Sequence, residues 1–239
     1  MSSNDTTPMS WLSLEEWTAV ALSLKVAFWA TLLSLPLGVL TALLLARGSF
    51  RGRQVLNIVV HLPLVLPPVV TGYALLILFG RRGPIGGFLE ETFGIVLAFR
   101  WTGAALACAV MAFPLMVRAI WLSVEAIDVR LEAAAGTLGA NRFWTFAVVT
   151  LPLMLPGILA GAILAFAKAM GEFGATITFV SSIPGETRTI PSAIYALLQV
   201  PGGESGVLRL ALVSVVVAIG ALLVSELVSR RIASWIAER

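Results

Sequence analysis

Two ionisable residues, Lys168 and Glu172, stand four apart in the otherwise apolar run "AFAKAMGEFGATITFV". On a helix that spacing places both on one face. Such a pair can neutralise itself as a structural ion pair, or it can line a polar path for a charged solute. Both readings stay open. The hydroxyls of Thr176, Thr178, Ser181 and Ser182 follow, and Arg188 stands in the loop "GETRT". With Lys168 and Glu172 these groups could form a translocation path that offers donors to an anion. Each hydroxyl could equally bond back to its own helix backbone, and Arg188 could equally be a solvated loop charge.

Other chemistries lack their residues. There is one histidine, His61, and one cysteine, Cys108. A transition-metal site needs several such ligands, so no metal, catalytic residue or resident cofactor is expected. Cys108 reads as a small packed hydrophobe and His61 as an interfacial or packed histidine. A P-loop needs a lysine after a glycine-rich turn. The lysines are Lys25 and Lys168, and neither follows a glycine. If ATP drives this protein, a partner must hydrolyse it. The arginines flank apolar runs instead of clustering, which argues against nucleic acid.

The elements that position these groups are membrane helices. Of the 239 residues, 59% are hydrophobic and 12% charged, about half the charge of a soluble domain. Five runs reach the roughly 20 residues that cross a bilayer: about 18–46, 55–80, 95–121, 152–180 and 207–229. They predict an all-α, five-span membrane protein, with 1–239 forming one transmembrane domain. With the first connection inside, the inner side holds Arg47, Arg51, Arg53, Arg118, Arg130, Arg142, Arg230, Arg231 and Arg239. The outer side holds Arg81, Arg82, Arg188 and Arg209. That balance predicts the N-terminus outside and the C-terminus inside. The polar start "MSSNDTTPMSWLSLEEW" lacks a basic signal-peptide head, so the first span is expected to remain. Lys25 and Arg100 read as outer anchors. On this reading Lys168 lies about 24 Å beyond Pro152, towards the outer side.

Prolines interrupt the spans at Pro36, Pro63, Pro67, Pro68 and Pro114, and each is expected to kink its helix. The stretch "HLPLVLPPVVTGY" either packs irregularly or lines a cavity. Gly157, Gly161, Ala165 and Ala169, four apart, predict a smooth face for close helix packing, within the chain or across a dimer.

One inner segment, about 128–150, is too polar to cross. Asp128 can cap a helix, Ala133 to Ala135 favour one, and Gly139 can end it in a left-handed turn. Pro152 suits the first turn of the next span. A short surface helix of small residues suits insertion into a groove on another protein.

Here "EAAAGTLGANRFWTFAVVTLP" resembles the cytoplasmic signature of permease subunits in binding-protein-dependent ABC importers. That signature runs Glu-Ala-Ala, three residues, Gly, nine residues, Ile, one residue, Leu-Pro. Counted back from Gly139 its alanines are Ala134 and Ala135, and Leu151 and Pro152 close it. Glu132 stands one residue earlier than the pattern. Further, "GEFGATITFVSSIPGETRTIPSAIYALLQVPGGES" resembles the molybdate permease subfamily, and the likeness runs from about residue 18 to 230. Sulfate and tungstate permeases are close relatives of it. The resemblance implies a homodimer in the bacterial inner membrane, two ATP-binding subunits on the cytoplasmic side and an external molybdate-binding protein. It implies that the loop is a coupling helix docking in a groove on the ATPase through Glu132, Ala134, Ala135, Gly139, Leu151 and Pro152. The rival classes are a membrane scaffold that binds a partner and moves nothing, and, third, a membrane-embedded enzyme.

Overall fold

The computed structural model describes residues 11–237. The start at 1–10, Arg239 and the side chain of Arg230 lie outside the described residues. Eleven α-helices are described: α1 Leu14–Arg47, α2 Arg53–Val65, α3 Pro68–Phe79, α4 Pro84–Phe93, α5 Trp101–Glu125, α6 Val129–Thr137, α7 Arg142–Thr145, α8 Leu151–Met170, α9 Gly174–Val180, α10 Ile190–Leu197 and α11 Glu204–Ala237. Among the described residues four candidate spans are long and apolar enough to cross a membrane: Leu14–Arg47, Trp101–Glu125, Arg142–Met170 and Glu204–Ala221. The pair α2 and α3 makes a fifth only if its bent halves count together.

α1 opens on a capping box, in which Ser13 and Glu16 satisfy each other's backbone N–H groups. This meets the orphan donors of a helix start. It runs through Pro36 without ending, as α2 runs through Pro63 and α5 through Pro114. Of the prolines expected to kink their helices, Pro67 and Pro68 mark a break, which comes at Leu66 and Pro67. Each precedes a proline, which disfavours helical ψ. Leu66 sits at ψ 141° and Pro67 at ψ 135°. Two consecutive extended residues turn the chain by 115°.

The fourth crossing differs from the expected run at 152–180. It begins at Arg142, capped by Asn141 Oδ1 accepting from the Trp144 N–H at 2.8 Å. It then passes through a π-turn, Phe146–Thr150, before α8. Pro152 therefore lies inside a continuous helix and not at its start. It has no N–H to give Val148, and the preceding N–H of Leu151 reaches five residues back to Phe146. The widened turn absorbs the missing bond. The crossing stops at Met170, because Gly171 and Phe173 leave helical geometry on either side of Glu172. Residues 174–180, apolar enough to extend the run, form the separate α9.

The two interrupted elements pack on each other. α3 lies against α9, where a side chain at Gly72 would meet the Ala175 carbonyl at 2.5 Å and one at Gly174 would meet Pro68 Cβ at 2.7 Å. Around them α1, α5 and α8 form the core, with Ala27, Ala104, Cys108 and Phe179 buried at one end and Leu45, Met116, Ile120 and Met154 at the other. Gly157, Gly161, Ala165 and Ala169 are all buried. At Gly161 the Met116 carbonyl is 2.9 Å from where a Cβ would sit. Small residues here let two helix backbones approach, and dispersion between close-packed surfaces holds them. The stripe is thus spent on α5 within the chain.

Candidate functional site

The polar segment between α5 and the fourth crossing is built from caps. Asp128 Oδ1 accepts from the Arg130 N–H at 2.9 Å and starts α6. Gly139, at φ +89°, reverses the chain. No neighbour crowds the space a Cβ would take there, so backbone conformation selects the glycine. No residue of α6 or α7 is buried. Ala134 is exposed and Ala135 half-buried. Large apolar side chains stand out around them: Val129, Leu131, Leu138, Phe143 and Trp144 are all exposed, Leu138 at 89%. An exposed apolar group of this kind at one end of a helical bundle suits contact with another protein. Leu151 and Pro152 lie half-buried at the junction of π-turn and α8.

Glu132 turns towards its own chain. Its Oε1 accepts from Thr150 Oγ1 at 2.9 Å and from Arg47 Nη2 at 3.3 Å. Arg47 and Thr150 were not singled out by sequence reasoning. Arg47 is 85 residues from Glu132, and no local pattern signals that pairing.

The second group of predicted residues lies at the other end of the fourth crossing, roughly 25 Å along it at 1.5 Å per residue. Lys168 Nζ donates to Glu172 Oε2 at 2.7 Å. The two are not on one helix, since Glu172 lies beyond the end of α8. The chain's turn at Gly171 still brings them together. The Glu172 side chain is only 1% exposed while that of Lys168 is 31% exposed. The other carboxylate oxygen, Oε1, accepts from the Ala175 N–H at 3.0 Å. Glu172 therefore does two structural jobs: it neutralises Lys168 and caps the first turn of α9. A buried carboxylate needs such partners.

The hydroxyls divide. Thr176 donates to the Phe173 carbonyl at 2.9 Å and Thr178 to the Gly174 carbonyl at 2.8 Å, the local back-bonding that helical threonines favour. Ser181 is exposed and sits at φ 64°, ψ −167°, a region of strain for a non-glycine residue. Thr187 holds the strained turn by donating to the Ser181 carbonyl at 3.0 Å and accepting from the Ile183 N–H at 2.9 Å. Arg188 Nε donates to Ser182 Oγ at 3.3 Å, and Arg188 Nη1 lies 3.7 Å from Glu15 on α1. Lys168, Glu172 and Thr176 thus gather at the break after α8, whereas Ser181 and Arg188 gather in the loop after α9.

Sequence reasoning also missed a tie between the first and last long helices. Arg209 grips Glu16 through Nε at 3.1 Å and Nη2 at 2.7 Å, both to Oε1. The anchors are placed simply: Lys25 Nζ sits 3.8 Å from the Trp101 ring centroid, a cation–π contact, and Arg100 is the cap residue of α5. His61 Nδ1 bonds the Asn57 carbonyl at 2.9 Å, and Cys108 Sγ lies 3.5 Å from the Ala169 carbonyl. Among the described residues no group of three His, Cys, Asp or Glu side chains could hold a metal ion.

Among the described residues the chain is helical, with a capped polar segment between two spans. The family described as "Binding-protein-dependent transport system inner membrane component" matches residues 34–234. The chain belongs to this family. It is 61% identical over 215 residues to the molybdenum transport system permease protein ModB of Escherichia coli K12, covering 90% of this chain and 94% of that one. It is 54% identical over 216 residues to ModB of Haemophilus influenzae, with the same two coverages. Among solved structures it is similar to a bacterial alginate ABC transporter in complex with an alginate pentasaccharide-bound periplasmic protein. That likeness has a TM-score of 0.73 at 18% identity, covering 92% of this chain and 80% of that one, and it speaks for the fold alone. The chain is thus a multi-pass transporter subunit.

Proposed function

We propose that this chain is the permease subunit of an importer that moves molybdate into the bacterial cytoplasm across the inner membrane, driven by ATP hydrolysis in separate subunits. The observation that carries the reading is 61% identity to a molybdenum permease over 90% of the chain. Two copies assemble with two ATP-binding subunits, and an external binding protein delivers the anion. The N-terminus faces out and the C-terminus in, as the arginine balance supports. The segment 128–150 is then cytoplasmic and α6 is the coupling helix. Ala134, Gly139 and the exposed Leu138 meet the ATPase, while Leu151 and Pro152 join the helix to the span.

Few cations lie within the spans, which suits a transient path whose affinity resides in the binding protein. In that path Lys168 is the group that meets the anion. Glu172 occupies one of its three ammonium donors and keeps the site near neutral between passages, so the dianion is not trapped. Thr176 and Thr178 spend their hydrogens on the backbone and offer only oxygen lone pairs. They shape the path and do not bind the anion. Ser181 and Arg188 stand at the outer mouth.

Reconstitution with the cognate ATPase and molybdate-loaded binding protein tests this. ATP-dependent molybdate uptake is the expected result. Uptake of sulfate or tungstate in preference to molybdate would reassign the substrate. No uptake of any of the three would leave a partner-binding scaffold as the better description.

A further inference from the structure

We infer that Arg47, Glu132 and Thr150 form a clasp that carries movement of α6 into α1 and into the π-turn of the fourth crossing. The source of that movement rests on the importer reading above; the clasp itself rests on contacts within the chain.

One carboxylate oxygen joins three elements. Glu132 Oε1, on α6, accepts from Thr150 at 2.9 Å and from Arg47 at 3.3 Å. Arg47 is the last residue of α1, and the same Nη2 also donates to the Ile127 carbonyl in the turn leading to α6, at 3.3 Å. Both bonds to Glu132 have an ionised acceptor, which makes them the stronger kind. The side chains of Arg47 and Glu132 are 30% and 24% exposed, and Thr150 is buried. The clasp therefore lies under the surface helix and leaves that helix's outer face free.

Thr150 behaves unlike Ser34, Thr178 and Ser214. Each of those donates to a carbonyl four residues back. Thr150 reaches out of its helix to Glu132. It is also the last residue of the π-turn, where the backbone register has already slipped by one residue and Pro152 removes a further donor. Such turns are frequent at functional positions. With no residue of α6 buried, a helix riding on the surface needs a tether before its displacement can do work on the spans. This also accounts for Glu132 standing one residue ahead of the family pattern: its register points it at Arg47 and Thr150 and not outward.

The test uses the full permease, purified with its ATPase subunit and placed in vesicles with the molybdate-loaded binding protein. The variants are Thr150→Val, Glu132→Gln, Arg47→Ala and Arg47→Lys. The ATPase should stay bound at wild-type stoichiometry in all four. Molybdate moved per ATP hydrolysed should fall about tenfold in Thr150→Val, the effect of losing one charge-assisted hydrogen bond, and at least as far in Arg47→Ala, which also loses the bond to the Ile127 carbonyl. Arg47→Lys, which keeps a donor, should recover most of it. Unchanged coupling in Thr150→Val and Arg47→Ala would overturn the clasp. So would loss of the ATPase in Glu132→Gln alone, since that would place Glu132 on the partner. Amide hydrogen exchange over 129–137 in the same purified complexes reads the tether without transport, and should quicken about tenfold in both variants. Unchanged exchange would overturn the clasp even if coupling fell. Quickened exchange in a complex whose wild type takes up none of molybdate, sulfate and tungstate would sink the importer reading and leave the clasp standing.

Discussion

Gly157→Ala tests whether close approach of α5 and α8 holds the core together. A methyl group at Gly157 would overlap the Cβ of Ser123 and sit 2.6 Å from its Oγ, with the Ala119 carbonyl at 3.3 Å. An ordinary contact needs about 3.5 Å or more, so the two helices would have to part by about an ångström. Parting them would also loosen the close approach one turn along, where the Met116 carbonyl lies 2.9 Å from where a Gly161 Cβ would sit. Overpacking of this kind costs about 3 kcal/mol, the upper end of the usual range, since helix backbone has little freedom to give. At about 2–4 °C per kcal/mol for a chain of this size, the midpoint of thermal unfolding in detergent should fall by about 6–12 °C. Ser123→Gly removes both offending atoms and by itself costs only about 1 kcal/mol of helix propensity. The double variant should therefore be more stable than Gly157→Ala alone, a reversal of sign that only direct contact produces. A Gly157→Ala midpoint within about 2 °C of wild type, or a second substitution that simply adds its own cost, would refute the packing reasoning.

Three further outcomes follow from the geometry. Arg209→Ala leaves the Glu16 carboxylate, itself 6% exposed, without its forked partner. The loss should be about 2 kcal/mol, between the exposed and fully buried limits, read by thermal unfolding; a stable variant would show that α1 and α11 do not depend on this tie. Glu172→Gln keeps an oxygen for the Ala175 N–H but leaves Lys168 unpaired, so the fold should survive while molybdate uptake slows through tighter holding of the anion. Normal uptake in a folded complex would remove Lys168 from the path. Gly139→Asp puts a charged side chain on backbone held at φ +89° and should detach or uncouple the ATPase while the chain still inserts in the membrane; full ATP-driven transport would count against α6 as the docking helix.

What the amino-acid order reveals here depends on how far apart the interacting residues lie. Apolar runs mark α1, α5, the fourth crossing and α11, because lipid demands about 20 apolar residues whatever surrounds them. The caps at Asp128 and Asn141 and the left-handed Gly139 act within a few residues, so the polar segment can be drawn before any tertiary contact is known. Hydropathy is blind to backbone, however. "GATITFV" is as apolar as a span, and only the glycines at 171 and 174 hint that α9 is separate. The same limit applies at Pro67 and Pro68. The local rule forces two extended residues, but the 115° turn they produce is held in place by α9, far along the chain. The polar ties are harder still. Glu132 with Arg47 and Glu16 with Arg209 span 85 and 193 residues, and each charge alone looks like an ordinary interfacial residue.

Those distant ties also differ between the two ends of the bundle. At the end that holds Glu16, Arg209, Glu15 and Arg188, ion pairs join α1 directly to α11 and to the loop after α9, and Ser23 accepts from the Ile190 N–H at 2.7 Å to fix α10. At the other end the polar ties from α1 to α6 and to the fourth crossing share one oxygen on Glu132, Arg47 also bonds the Ile127 carbonyl, and Leu45 packs in the same core as Met154. The first arrangement has several independent bonds and resists displacement. The second holds α6, no residue of which is buried, through one carboxylate oxygen and one guanidinium nitrogen. Under the proposed function, a subunit that yields to an ATPase at one face and keeps a defined mouth at the other would use that asymmetry. It should appear as amide exchange over 129–150 that is faster than over 187–197 in the assembled transporter. Equal protection at the two ends would mean that the docking segment is as rigid as the mouth, and that coupling must act by moving the whole subunit.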